Sequence, residues 1–73
     1  MNFESELMSN LAASTHPDAK AMKRWFDKHP KGPLRKRALK RLEDATNGDA
    51  KSIDWNKLGA FVQLLLAFLK TFA

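Results

Sequence analysis

Apolar residues recur at helical spacing in three stretches of this chain and crowd nearly every position of a fourth. Phe3, Leu7, Met8 and Leu11 predict a first helix from about Asn2 to Ala13. Glu4 and Glu6 fall in its first turn, where they oppose the positive end of the helix dipole. Pro17 suits the first position of a second helix, Pro17 to Lys28, with Thr15 or His16 ahead of it. On a wheel of about 100° per residue, Ala19, Ala21, Met22, Trp25 and Phe26 share one side. Lys20, Lys23, Arg24, Asp27 and Lys28 share the other. Pro30 and Gly32 end this helix.

A third helix is predicted from Pro33 to Thr46. Leu34, Ala38, Leu42 and Ala45 form its apolar stripe, with Leu39 at the margin. Lys36, Arg37, Lys40 and Arg41 form the opposite face. Arg35 projects into the apolar sector, so it must snorkel or meet an acid or a phosphate. Asn47-Gly48 is a stop signal, because both residues tolerate the left-handed conformation. Asp54 is a good N-cap for a fourth helix over about 55–72, with Ser52 as the alternative.

Strand signals are poor: Val and Ile occur once each and Tyr never. The expected fold is therefore all-α, a small four-helix bundle (about 2–13, 17–28, 33–46 and 55–72) with a central hydrophobic C-terminal helix. Seventy-three residues make one helical domain, 1–73, with a marginal core. Without Cys no disulfide can staple it, so helix packing, self-association or burial in a partner must supply stability.

The fourth helix is apolar nearly all round. Leu58, Phe61, Val62, Leu65, Phe68, Leu69 and Phe72 are its candidate core or oligomer-interface residues. Asn56, Gln63 and Lys70 recur every seven residues and, with Gly59, fill a sector of roughly 60°. Three readings compete: the other helices wrap this one, it packs on copies of itself, or it enters a membrane. A buried polar stripe fixes register in coiled coils, which suits the second reading. The apolar run Leu58–Leu69 falls short of the ~20 residues a bilayer requires. Trp55 and Lys70 at its ends nevertheless suit interfacial anchoring.

Charge divides the chain more sharply than its net +5 suggests. Lys20 to Arg41 holds ten bases and one acid, Asp27; the other 51 residues hold three bases and seven acids. Lys20, Lys23, Arg24, Arg35, Lys36, Arg37, Lys40 and Arg41 are the candidate nucleic-acid or anion contacts. If the second and third helices pack as neighbours, their basic faces merge into one surface able to displace counterions from phosphates. Pro17–Leu42 also reads as a helix-turn-helix around His29-Pro30-Lys31-Gly32, which would set the start of the third helix against bases or phosphates. Trp25 and Phe26 could stack on bases, but their apolar stripe favours core packing. His16-Pro17 and His29-Pro30 form a weak echo 13 residues apart, shorter than known helical repeats.

Catalysis needs polar groups that converge. Two His, no Cys, no Tyr and no metal or phosphate-loop motif argue against an enzyme, a metal site or a cofactor. The leading expectation is a non-enzymatic basic binding module for nucleic acid. The alternatives are a small protein acting on an anionic membrane, like a leaderless bacteriocin or a phage lysis or virion protein, and an adaptor docking an acidic protein or assembling as a homo-oligomer. The acidic start, Met1-Asn2-Phe3-Glu4, lacks the pattern of a Sec signal peptide. That favours the cytoplasm and leaves leaderless export open.

Overall fold

Local capping explains where the helices begin and end. A computed structural model of the protein describes residues 2–71. It contains α1 (Phe3–Ala13), α2 (Pro17–Lys28), α3 (Pro33–Thr46) and α4 (Gly59–Thr71), and no strand among the described residues. Asn2 Oδ1 accepts the Ser5 amide at 2.9 Å and caps α1. His16 caps α2 with its ring: Nδ1 accepts the Asp18 amide at 3.1 Å. The ring proton therefore sits on Nε2, which donates to Asn56 Oδ1 at 3.2 Å. Gly32 precedes α3 at φ 116°, a conformation that side chains oppose. Asn47 (φ 56°) and Gly48 (φ 78°) close α3 left-handed, and the Gly48 amide donates to Glu43 O at 2.9 Å.

The fourth helix begins later than the hydrophobic pattern implies. Asp54 does cap, accepting the Asn56 amide at 3.0 Å and the Lys57 amide at 3.3 Å, but residues 55–58 form a turn. Two long-range tethers account for the offset. Trp55 Nε1 donates to Asn10 Oδ1 of α1 at 3.1 Å, and Asn56 is held by His16. Both bonds draw the turn toward the start of the chain, and Gly59 makes a break inexpensive.

The core lies where the four helices face inward. Leu7 and Leu11 of α1 meet Ala19, Met22, Trp25 and Phe26 of α2, while Ala38 and Leu42 of α3 are also buried. α2 packs against α1 and α4, and α3 packs against α4. From α4, Val62, Leu65, Leu66 and Leu69 enter the core; each such side chain stabilises by about 1.5–3 kcal/mol on burial. Leu58, Phe61 and Phe68 are half-buried against it, and Phe72 lies outside the described residues. Wrapping is thus incomplete: Leu64 remains 72% exposed. The Cα radius of gyration, 11.0 Å, matches the about 11 Å expected of a folded chain this long.

The apolar stripe of α3 differs from the wheel. Ala45 is exposed, while Leu34, Ala38 and Leu42 face the core as expected, with Leu39, Arg35 and Thr46 half-buried beside them.

Candidate nucleic-acid interface

The basic residues belong to the outer faces of α2 and α3 because the apolar stripes of both helices are committed to the core. The close packing of α2 on α3 that would merge these faces is not found: α2 packs on α1 and α4, and α3 on α4, so the turn over 29–32 is what connects the two faces. On α2, Lys20, Arg24 and Lys28 are exposed at four-residue spacing, a ladder about 12 Å long. Lys31 continues it into the α2–α3 turn and is exposed. On α3, Lys36, Arg37, Lys40 and Arg41 are all exposed.

Acids neutralise only part of this set. Lys23 is half-buried and grips Asp27 one turn on, with Nζ 2.8 Å from each carboxylate oxygen. Lys40 reaches Asp44 at 3.4 Å. Lys20, Arg24, Lys28, Lys31, Lys36, Arg37 and Arg41 make no ion pair with the described residues. Exposed i,i+4 pairs are worth about 0.3–0.5 kcal/mol, so Lys23 and Lys40 remain available to a polyanion. Arg41 lies with its guanidinium 5.6 Å from the centre of the Phe68 ring, a contact that leaves its donors open.

Arg35 stands apart from the other sequence-selected cations. Its side chain is only 13% exposed, and its donors are spent inside the protein. Nε and Nη2 donate to Glu4 Oε2 at 3.0 and 2.7 Å. Nη1 donates to Phe26 O and His29 O, each at 2.9 Å, and the guanidinium lies 5.1 Å from the centre of the Phe26 ring. Arg35 therefore joins the start of α1, the end of α2 and the start of α3. Its place on the wheel calls for an acid or a phosphate, and Glu4 meets that need.

Trp25 and Phe26 are 6% and 1% exposed, so neither offers a face to a base. Trp25 stacks instead on His29, ring centres 4.2 Å apart, and His29 Nδ1 meets Trp25 O at 2.9 Å. Lys28 and Lys31 extend the candidate set beyond the residues selected from sequence; the four-residue continuation from Lys20 and Arg24 was the available signal for Lys28. A recess of about 580 Å³ lies away from the ladder, between α1 and the segment before α4. It holds one carboxylate, Glu6, which Lys51 approaches at 3.7 Å, and no His. Comparison of the chain with protein-family models, curated proteins and solved structures finds no match.

Proposed function

We propose that the protein is a non-enzymatic module that grips nucleic acid by its phosphate backbone, through the outer faces of α2 and α3 and the turn between them. The carrying observation is the group of seven exposed cations there without an acid partner among the described residues. Unpaired cations of this kind gain affinity for a polyanion by releasing condensed counterions. The two His side chains are occupied in helix caps, which also favours binding over chemistry.

A duplex suits this surface better than a single strand. Binding of single strands usually adds stacking on aromatic side chains, and the aromatics of α2 are buried. No exposed Asn or Gln accompanies the cations on α2 or α3, so adenine lacks its usual bidentate partner.

Titration of a short duplex and its separated strands tests the reading. Duplex affinity should fall about a thousandfold between about 50 and 200 mM salt. An affinity indifferent to salt would exclude phosphate gripping. Tighter binding of the single strand would exclude the duplex preference while sparing the rest.

A further inference from the structure

α4 leaves one apolar ridge uncovered. Its inward side is taken up by α2 and α3, whereas Leu64 points away from them and keeps 72% of its surface exposed. It is the sole large apolar side chain so exposed among the described residues. Ala60 and Ala67 beside it are exposed too. On the α3 side, Phe61, Leu65, Phe68 and Arg41 join Leu64 around a shallow recess of about 210 Å³.

Cations are available at this ridge. Arg41 stands over Phe68, and Arg37 is exposed one turn earlier on α3. Lys70 is exposed near the other end of α4. None of these three makes an ion pair with the described residues, and Gly59–Thr71 contains no acid.

We infer that the ridge docks on an anionic lipid surface. Leu64 and the edges of Phe61 and Phe68 enter the acyl boundary, while Arg37, Arg41 and Lys70 meet headgroup phosphates. Charge complementarity selects this occupant. A second copy would bring Arg41 and Lys70 against an α4 that has no carboxylate to receive them. A neutral apolar partner would leave the same cations unused. The mode is contact along the surface: no helix among the described residues is long and apolar enough to cross a membrane. Arg37 and Arg41 also belong to the proposed nucleic-acid surface, but Leu64 and Lys70 take no part in it, so Leu64 separates the two readings.

Vesicle co-sedimentation of the full chain tests it, with phosphatidylglycerol–phosphatidylcholine vesicles set against pure phosphatidylcholine. Leu64→Gln is the informative variant, since so exposed a side chain can change without loss of fold, which far-ultraviolet circular dichroism checks. The wild type should bind the anionic vesicles and spare the neutral ones. L64Q should bind about tenfold more weakly, with duplex affinity unchanged. Absence of binding to anionic vesicles overturns the inference. Equal binding by L64Q also overturns it, since headgroup charge alone would then suffice. A dimer in sedimentation that L64Q dissolves would assign the ridge to a second copy. If vesicles bind as expected and nucleic acid does not, this inference holds and the functional reading fails.

Discussion

Arg35 and Glu4, 31 residues apart in the chain, meet through two hydrogen bonds to a single carboxylate oxygen, at 2.7 and 3.0 Å. The same guanidinium takes the carbonyls of Phe26 and His29, so one side chain serves three helices. Replacing it by Ala leaves those acceptors short of a donor and should cost about 2–3 kcal/mol. In a chain this small that lowers Tm by roughly 10–20 °C. Arg35→Lys should recover only part, because an ammonium cannot reproduce the fork. In Arg35→Gln molecules that remain folded, the charge is lost, yet the salt slope of duplex binding should match the wild type. A reduced slope would place Arg35 on the phosphate after all.

Arg24 should behave in the opposite way. It is exposed and makes no ion pair with the described residues. Arg24→Gln should leave stability within about 0.5 kcal/mol of wild type. It should reduce the slope of log affinity against log salt by about 1, the share of one phosphate. Parallel thermal melts and salt titrations separate this outcome from that of Arg35.

The two tryptophans should respond differently to the same change. Trp55 Nε1 donates to Asn10, whereas Trp25 Nε1 is buried with no acceptor among the described residues. Trp55→Phe should therefore cost about 1 kcal/mol for the lost hydrogen bond, in addition to any cost of the smaller ring. Trp25→Phe removes an unsatisfied donor, which offsets part of its packing loss. Denaturant titration should find W25F the milder variant; the reverse order would mean that Trp25 has an acceptor in solution.

Gly32 and Gly48 offer a test of backbone strain free of steric conflict, since a Cβ at either would meet nothing within 4 Å. Gly48 has φ 78°, a left-handed value that costs an L-residue about 1–2 kcal/mol. Gly32, at φ 116° and ψ 171°, occupies a region essentially confined to glycine, where the cost is about 1–3 kcal/mol. Both Ala variants should lower Tm, with G32A at least as damaging as G48A. Unchanged melting of either would show that the turn relaxes to another conformation.

Local chemistry explains why so much of the fold can be read from the chain. Pro17, Pro33 and Asn47-Gly48 mark helix ends by conformational rules that hold regardless of the surroundings, and α2 and α3 begin and end where those residues place them. The start of α4 was hidden because it depends on Trp55 reaching Asn10, and no local pattern encodes a bond between residues 45 apart. Arg35 was legible by half: the wheel exposed its conflict with an apolar stripe, but Glu4 lies on another helix. The basic faces were readable as faces. Which of their cations are already paired depends on rotamers, as Lys23 with Asp27 shows.

The bond between Trp55 and Asn10 has a spectroscopic consequence. The only two indoles of the chain occupy different joints: Trp25 beside His29 at the end of α2, and Trp55 between α1 and the turn that leads into α4. Each fluorophore thus watches a separate seam. If the turn over 55–58 lets go before the helices part, emission from the two indoles will change at different points along a denaturant gradient, and the order of dismantling becomes visible without a label.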